Sequence, residues 1–398
     1  MSGGPLEGVR VLDLTSVVVG PLCTQILADH GADVIKVETK SGDLVRVMNG
    51  KSVTPGMGAK FLHLNRNKRS IVLDLKQPAG HAALLRLVKH ADVLVWNVRP
   101  AGMARLKLSY DDVRAANPKI IYCGMFGFGQ DGRYRDKPAY DTILQGSGGM
   151  AALHHRATGE PRYVPMVVAD KVVGLIAVQM IAMALYQRTR TGEGCSIEIP
   201  MFENLVKFVL EEHLYLKTFE PPLGGTGDPR LLDPLGKPIP TKDGWICISA
   251  NTDEQAFGFF EAIGRPELKD DPRFSSVQAR FSNVAAYFEI RMQALKTKTT
   301  AQWIEILERH DVPCMPYHTL DSLLDDPHLN EVGFFEIKEH PTEGKIRNFR
   351  LPNRWSSPGR KDWNPAPKLG RHSAEVLREA GYSQQEIDDL VKRGVTVR

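Results

Sequence analysis

Short apolar segments that alternate with helix-like segments most constrain how this chain can fold. The clearest apolar segments read VRVLDLT (9–15), ADVIKVE (32–38), SIVLDL (70–75), DVLVWN (92–97) and KIIYCGMFG (119–127). Segments with helical spacing separate them, among them 21–30 and 77–91. Nearly continuous apolar strands alternating with helices are typical of a parallel sheet covered on both faces. The sequence therefore predicts an α/β fold for this part of the chain.

The pattern changes near residue 217. The segment 219–240 is dense in Pro and Gly and lacks periodicity, which is typical of a loop or a domain boundary. The residues after it indicate a smaller α+β domain, with a strand at 245–250 and helical patterns at 252–264, 283–298 and 300–311. After residue 330 short strands and turns predominate, and the chain ends in two small predicted helices.

Charge and cysteine usage argue against several classes of protein. The formal net charge of +4 over 398 residues is too small to imply nucleic acid as a partner. The five cysteines lack the spacing of zinc ligands or of a disulfide framework, so we expect no metal and a reducing compartment. The first residues show no secretory signal, and we expect a cytoplasmic protein. The apolar run 172–186 falls short of the roughly 20 residues that span a bilayer, so we interpret it as a buried core helix and expect no membrane partner.

The stretch GFGQDG (127–132) matches the spacing of a dinucleotide-binding loop but not its context. A predicted strand precedes it, yet the residues after it, including Pro138, do not predict the helix that such a loop requires. We therefore expect neither a nicotinamide nor a flavin cofactor to bind through this motif.

Cations cluster in NRNKRSIVLDLK (65–76), before and within a predicted strand. On sequence alone a solvated turn is the favoured interpretation, and a phosphate site at the edge of an α/β sheet is the functional one. Further cations lie at ends of predicted elements, namely Lys40, Arg99, Arg105 and Lys137. Together these cations suit a ligand with several phosphates, although spacing alone does not show that they converge.

A single carboxylate, Asp170, lies between the apolar run 164–169 and the helical pattern 171–189. Asp is favoured as a helix N-cap, where its side chain accepts hydrogen bonds from free backbone N–H groups. The same position suits a catalytic carboxylate, because the helix N-terminus favours the ionised form, whereas a dry pocket raises the pKa. The residues themselves leave both interpretations open.

Several stretches, taken in order and spacing, carry a resemblance to a known family. They are LEGVRVLDLTSVVVGPLCTQILADHGADVIKVE, NRNKRSIVLDLK, KPAYDTILQGSGGM, AD-x-x-x-G (169–174), RTRTGEGCSIEIPMFE, DDPRF, DDPHL and LGRHSAEVLREAGYS. On these stretches the chain resembles the family III CoA-transferases, the CaiB/BaiF group of formyl-CoA and L-carnitine CoA-transferases, over about residues 5–395.

The resemblance implies a specific architecture. We expect a Rossmann-like large domain with a parallel sheet over 1–220 and a smaller α+β domain over 221–329. The segment 330–398 should return to the large domain. Two chains should interlock as threaded rings in a homodimer.

The resemblance also implies the site and its chemistry. Asp170 falls on the family's catalytic aspartate, and CoA or acyl-CoA is expected as substrate, with no metal, nicotinamide or flavin. The resemblance and the cation positions together imply a CoA site. Its residues are Val18, Val19, Lys40, Leu73, Asp74, Leu75, Lys76, Asn97, Val98, Arg99, Arg105, Lys137, Tyr140 and Asp141. The implied reaction moves CoA from an acyl-CoA to a carboxylic acid through an aspartyl anhydride and an aspartyl-CoA thioester.

Some positions depart from the family's pattern. Val18 stands where the formyl-CoA enzyme has Gln, and Thr39 where it has Arg, which argues against formate and oxalate as substrates. Tyr140 stands where the related α-methylacyl-CoA racemases carry His, which disfavours proton exchange at Cα. An acyl-CoA racemase or isomerase and a non-catalytic acyl-CoA-binding protein remain the alternative functions.

Four residues are weaker candidates for contact with the acid substrate. Arg156 and Arg162 precede Asp170 in the chain, and arginine binds carboxylates bidentately, so one of them is expected to hold the second carboxylate of a dicarboxylic substrate. Gly224 and Gly225 fall near the family's glycine-rich lid, which should shield the reactive intermediates from water.

Overall fold

The structure is a computed structural model that describes residues 3–48, 50–356 and 363–398. The strands are β1 Arg10–Leu14, β2 Asp33–Glu38, β3 Lys68–Val72, β4 Val93–Trp96, β5 Ile121–Phe126, β6 Cys195–Pro200, β7 Ile239–Pro240, β8 Trp245–Ile248, β9 Cys314–Pro316, β10 Phe335–His340 and β11 Gly344–Phe349. The helices are α1 Val19–Asp29, α2 Ala59–Leu64, α3 Pro78–Val88, α4 Pro100–Arg105, α5 Tyr110–Ala116, α6 Asp141–Ser147, α7 Met150–Thr158, α8 Val168–Thr191, α9 Met201–His213, α10 Asp253–Ala262, α11 Val277–Ser282, α12 Val284–Leu295, α13 Thr300–Arg309, α14 Pro327–Glu331, α15 Ser373–Glu379 and α16 Gln384–Lys392.

The described residues form two compact units. The first unit comprises those within 1–148, 164–208 and 333–398, and the second those within 149–163 and 209–332. The predicted domain boundaries lay at 220 and 329, so 149–163 and 209–220 group differently here. Hydrogen bonds link these segments to the rest of the second unit. For example, Arg156 donates to the Thr226 carbonyl at 2.7 Å, and the Gly227 N–H donates to the His213 carbonyl at 2.8 Å.

A six-stranded sheet in the order β3-β2-β1-β4-β5-β6 forms the centre of the first unit. Every neighbouring pair is parallel, which confirms the α/β fold predicted from the alternating segments. Strand β1 pairs on both sides, with Leu12 opposite Ile35 and Leu94. These side chains belong to one buried core, and residues of the C-terminal helices, such as Leu377 and Leu390, pack into it.

Strand β3 is displaced from its predicted position. It ends at Val72, whereas the apolar pattern predicted a strand over 70–75. The Leu73 N–H still donates to the Glu38 carbonyl of β2, but the Asp74 N–H donates to the Val395 carbonyl at 2.8 Å. The C-terminal segment therefore takes over as hydrogen-bond partner, a long-range contact that the local pattern does not contain.

Helix α8 is apolar along its length, but only one of its faces is buried. Its buried residues include Val173, Ala177, Ile181 and Ala184, at the spacing of one helix face. Large apolar side chains are exposed away from this face at Leu175, Met183 and Tyr186, and Met180 is also partly exposed. The prediction of a buried core helix is therefore correct for one face only. Among the described residues, α8 is the one helix with the length and composition to cross a membrane, a test that core helices also pass.

Helices α1 and α8 approach each other closely at Gly174. A Cβ atom at this position would lie 2.8 Å from the Val19 carbonyl oxygen and 3.3 Å from a Leu22 methyl carbon. No other residue type fits without moving one of the helices, because real Cβ atoms do not come this close to a backbone oxygen.

Buried ion pairs connect strands β1, β2 and β3 and the segment after β2. Lys68 contacts Asp13 at 3.0 Å, and both side chains are fully buried. Lys36 contacts Asp43 at 2.9 Å and also donates to the Thr15 carbonyl at 2.9 Å. Burial disfavours ionisation of Asp13, but Lys68 and Lys36, with hydrogen bonds from two threonines, hold its pKa below the ordinary value. The Asp13 carboxylate is therefore kept ionised inside the unit.

Three of the four cations in the cluster at 65–76 form ion pairs, two of them buried and that of Arg69 partly exposed. Arg66 pairs with Asp29 at 2.7 Å, Lys68 with Asp13, and Arg69 with Asp33 at 2.7 Å. The functional interpretation as a phosphate site is wrong for these three cations, because each is already bound by a carboxylate, and the solvated turn is wrong for buried Lys68. Of this cluster, Lys76 alone lines one of the two cavities described below.

The second unit has its own small sheet and core. Strands β7, β8 and β9 form an antiparallel sheet in that order. Helices α10, α12 and α13 enclose a core of aromatic and aliphatic side chains that includes Phe259, Phe260 and Trp303. Mixed helices and antiparallel strands are what the sequence predicted for the smaller domain.

Replacing Lys68 by Met should lower the free energy of unfolding by about 3–5 kcal/mol, because Asp13 would remain buried without its nearest cation. Urea denaturation measures this loss. Arg393→Met is the matched control, since Arg393 and Asp389 form an exposed pair on α16, and it should cost about 0.5 kcal/mol or less. Adding Asp13→Asn to Lys68→Met should recover part of the loss. Equal losses for Lys68→Met and Arg393→Met would contradict the importance of the buried pair.

Candidate active site

A cavity of about 310 Å³ lies in the first unit where β1, β4 and β5 end. Parallel strands present their carboxyl ends at the same edge of the sheet, and the strand order reverses between β1 and β4. Ligands of open α/β sheets bind at such a reversal. The lining residues are Ser16, Val17, Val18, Val19, Asn97, Arg99, Met125, Phe126, Gly127, Lys137, Pro138, Ala139, Tyr140, Asp170 and Met201.

The turn between β1 and α1 is held in an unusual backbone conformation. Val17 has φ 69°, a left-handed value that is costly for a β-branched residue. The Val17 N–H donates to Asp43 Oδ1 at 3.0 Å. The Ser16 N–H donates to Asn97 Oδ1 at 2.9 Å, and Asn97 Nδ2 donates to the Ser16 carbonyl at 2.8 Å. Asp43, a member of the buried ion pairs, and Asn97, which follows β4, thus fix the turn that forms one wall of the cavity. Both polar groups of the Asn97 amide are used in these hydrogen bonds.

The Asp170 carboxylate is free of helix-capping bonds. It lies in the first turn of α8 with 9% of the residue exposed. The cap is supplied by Asp141, whose Oδ1 accepts from the N–H groups of Ala169 at 2.7 Å and Asp170 at 3.2 Å. Gln145 donates to the other Asp141 oxygen at 2.6 Å. The sequence left open whether Asp170 caps α8 or has a catalytic role. In the structure the cap is Asp141, so capping is not the role of Asp170.

The environment of Asp170 raises its pKa to about 7. Burial is the largest cause, and the neighbouring Asp141 carboxylate adds to it, while Lys60 on α2 acts in the opposite direction. Near neutral pH this carboxylate therefore exists in both protonation states. Its ionised form is a poorly solvated carboxylate against a cavity, which is the condition for nucleophilic attack on a carbonyl carbon.

A larger cavity of about 790 Å³ in the same unit is rich in cations. Arg99 lines both cavities, so they adjoin at this side chain. No carboxylate is among the lining residues, so the site attracts anions. Its lining residues are Leu75, Lys76, Gln77, Pro78, His81, Val98, Arg99, Gly102, Arg105, Leu106 and Lys107.

Most residues assigned to the CoA site by resemblance line one of these two cavities. The smaller cavity contains Val18, Val19, Asn97, Arg99, Lys137 and Tyr140 with Asp170, and the larger contains Leu75, Lys76, Val98, Arg99 and Arg105. Neither lining includes Lys40, Leu73, Asp74 or Asp141. Leu73 is buried, Asp74 accepts hydrogen bonds from Gln77 and Lys76, and Asp141 caps α8. A direct role for these four residues stays a prediction.

The weaker substrate candidates all belong to the second unit. Arg156 donates to the Thr226 carbonyl, inside the segment of the expected glycine lid. Arg162 forms an exposed ion pair with Glu160 at 2.9 Å. A Cβ atom on Gly224 would lie 2.6 Å from a Leu216 methyl carbon, whereas one on Gly225 would meet nothing within 4 Å. Their role toward the acid substrate stays a prediction.

Sequence reasoning missed several lining residues. Ser16 and Met201 directly follow strand segments at the ligand-binding edge of the sheet, so strand ends were a usable signal for them. His81 and Lys107 had no local signal, because their cavity forms where the start of α3 meets α4 and the residues that follow α4. The GFGQDG loop does not begin a helix, and its Gly129 N–H donates to Glu203 at 2.8 Å.

Within 3–48, 50–356 and 363–398, no group of three or more His, Cys, Asp or Glu side chains is placed to hold a metal ion.

Comparison with known proteins gives one consistent result. The model of CoA-transferase family III matches residues 6–373. The chain is 35% identical to succinate–glutarate CoA-transferase of Agrobacterium fabrum, over 94% of this chain and 95% of that one. It is 34% identical to formyl-CoA:oxalate CoA-transferase of a Bradyrhizobium species, over 98% and 96%. A crystal structure of a CaiB/BaiF family protein from Brucella suis superposes with TM-score 0.78 at 30% identity, over 95% of this chain and 99% of that one. The chain therefore belongs to CoA-transferase family III, whose members use CoA thioesters as substrates.

Proposed function

We propose that this CoA-transferase works through Asp170 as a covalent nucleophile. The supporting observation is the placement of Asp170: it is nearly buried, lines the cavity at the strand-order reversal, and has a raised pKa. Among the described residues its carboxylate accepts no hydrogen bond that would have to break before attack, because Asp141 caps the helix instead.

The proposed first half-reaction exchanges the acyl group and CoA on Asp170. The ionised carboxylate attacks the thioester carbonyl of the donor, the C–S bond breaks, and an aspartyl–acyl anhydride and CoA thiolate form. The thiolate attacks the aspartyl carbonyl of the anhydride, which releases the donor acid and leaves an aspartyl-CoA thioester. A carboxylate is a weak nucleophile, so orientation in the fixed cavity and exclusion of water must supply much of the rate.

The second half-reaction reverses these steps with a different acid. The acceptor carboxylate attacks the aspartyl-CoA thioester, giving a new anhydride and CoA thiolate. The thiolate then attacks the acyl carbonyl, which forms the product acyl-CoA and returns Asp170 as a carboxylate. Each step exchanges one acyl bond for another, so neither metal nor redox chemistry is required.

The larger cavity is suited to the phosphate-bearing part of CoA. Lys76, Arg99, Arg105 and Lys107 supply positive charge, and the N-terminus of α3 starts at this cavity with Pro78. Arg99 borders both cavities, so a ligand extending from one to the other passes this side chain. CoA would then place its phosphates among these cations and its thioester toward Asp170.

Dicarboxylic acids are the proposed acid substrates. The Agrobacterium relative is named for succinate and glutarate, acids that carry a second carboxylate. Arginine binds carboxylates bidentately, and we keep Arg156 and Arg162 as the candidates for that second group. Arg156 is the better placed of the two within its unit, because it already bonds to the Gly224–Gly227 segment.

Two copies of this chain are proposed to form the interlocked homodimer of the family, acting in the cytoplasm. The exposed apolar side chains of α8 at Leu175, Met183 and Tyr186 support association, because exposed apolar patches mark interaction surfaces. All five cysteines are free thiols, which is consistent with a reducing compartment.

Asp170→Asn should reduce CoA transfer from succinyl-CoA to glutarate by at least about 10³-fold, because the amide is not a nucleophile. Mass spectrometry after incubation with acyl-CoA and hydroxylamine should detect a modified Asp170 peptide in the wild type and none in the variant. Asp388→Asn is the control, since Asp388 lies on α16, forms an exposed ion pair with Arg398 and lines neither cavity. Full activity of Asp170→Asn would refute the nucleophile.

Raising the pH from 5 to 8 should increase kcat/KM for the acyl-CoA donor, with an apparent pKa near 7, because attack needs the ionised Asp170. Well below that pKa the rate constant should fall about tenfold per pH unit. Asp141→Asn removes the like charge while keeping an oxygen to cap α8, so its profile should shift to lower pH. A flat profile between pH 5 and 8 would contradict this assignment.

Arg105→Met should raise KM for acyl-CoA by about tenfold through the loss of a charge-assisted hydrogen bond to phosphate. KM for the acid acceptor should stay unchanged. Steady-state kinetics with each substrate varied in turn separates the two effects. Lys40→Met is the comparison variant, because Lys40 was expected in the CoA site yet lines neither cavity. Equal effects of the two variants would contradict the placement of the phosphates.

A further inference from the structure

Arg291 is a buried arginine without a carboxylate partner in the second unit. It lies on α12 with 7% of the residue exposed. One guanidinium nitrogen donates to the Ile248 carbonyl, while the buried Nε has no hydrogen-bond partner among the described residues. The guanidinium carbon lies 5.6 Å from the Tyr287 ring centre and 5.0 Å from that of Phe288. Burial lowers the pKa of Arg291, which marks how unfavourable this surrounding is for its charge.

Arg280 in the same unit shows the arrangement that is usual for a buried arginine. It is 4% exposed and lies 5.9 Å from the same Tyr287 ring. Unlike Arg291, it pairs with Asp253 at 2.8 Å and donates to the Phe274 carbonyl. A buried charge is stabilised by a counter-ion. Arg291 therefore differs from its neighbour in missing an anion, and not in its degree of burial.

Arg291 lines a cavity of about 310 Å³ that carries positive charge only. Arg230 and Lys237 are the other charged lining residues. Leu235, Ile239 and Phe288 provide an apolar wall. The volume is at the lower end for ligand sites, so it suits a molecule of a few carbon atoms.

We propose that this cavity binds a small organic carboxylate, whose carboxyl group pairs with Arg291. Arginine offers a planar set of N–H donors that matches a carboxylate. The apolar wall packs against the carbon chain of the ligand, which free phosphate would leave unfilled. Arg230 and Lys237 attract the anion from solvent. The site lies entirely within the second unit, and it does not depend on the proposed role of Asp170.

Calorimetric titration of glutarate into the full-length protein, without acyl-CoA, tests the site. Arg291→Leu should weaken glutarate binding by at least about tenfold, the effect of losing a hydrogen bond to a charged group. Lys242→Met removes an exposed cation of the same unit that does not line the cavity, and should leave the affinity within about twofold.

Thermal unfolding and a second variant control for loss of folding in Arg291→Leu. Thermal unfolding of the unliganded Arg291→Leu protein establishes whether this variant folds. If that variant does not fold, the surface double variant Arg230→Met/Lys237→Met should instead weaken glutarate binding by about threefold or more. Equal affinity of the folded variants and the wild type would overturn the site. Equal binding of inorganic phosphate and glutarate to the wild type would overturn the assignment to an organic carboxylate.

Discussion

Three buried ion pairs hold strands β1, β2 and β3 of the first unit, and the turn after β1, in a single arrangement. Asp13 with Lys68, Asp43 with Lys36, and Glu38 with Arg46 all have side chains 4% exposed or less. Such pairs add little net stability over apolar packing, but breaking one is costly, so they act mainly by fixing a single arrangement. Here the fixed arrangement includes the turn after β1. Lys36 bonds to Thr15 and Asp43 bonds to Val17, so the strained turn is set by charges that never reach the cavity.

One residue both holds the candidate nucleophile and changes its acidity. Asp141 caps the first turn of α8, which fixes the position of Asp170. Its negative charge also opposes ionisation of Asp170, adding to the effect of burial. A neutral cap would hold the helix equally well without this effect. A carboxylate at position 141 therefore lowers the ionised fraction of Asp170 near neutral pH. It also makes the ionised Asp170 carboxylate more basic.

The sequence predicted those parts of the fold that local pattern encodes. The strands around β1, β2, β4 and β5 and their parallel arrangement follow from short apolar runs between helices. The end of β3 did not follow, because Asp74 pairs with Val395 at the far end of the chain. Lys68 looked like a surface cation because its partner, Asp13, lies on another strand. The capping question at Asp170 was undecidable for the same reason, since the actual cap is 29 residues earlier.

The contact between α1 and α8 explains why glycine stands four residues after Asp170 in AD-x-x-x-G. Gly174 lies one helical turn after Asp170, where the α8 backbone rests directly on Val19 of α1. Val19 also lines the cavity that Asp170 faces. Because Gly174 has no side chain, α1 and α8 approach closely beside the cavity that Val19 and Asp170 line. A larger residue at position 174 would force the two helices apart and so change the spacing between two walls of that cavity.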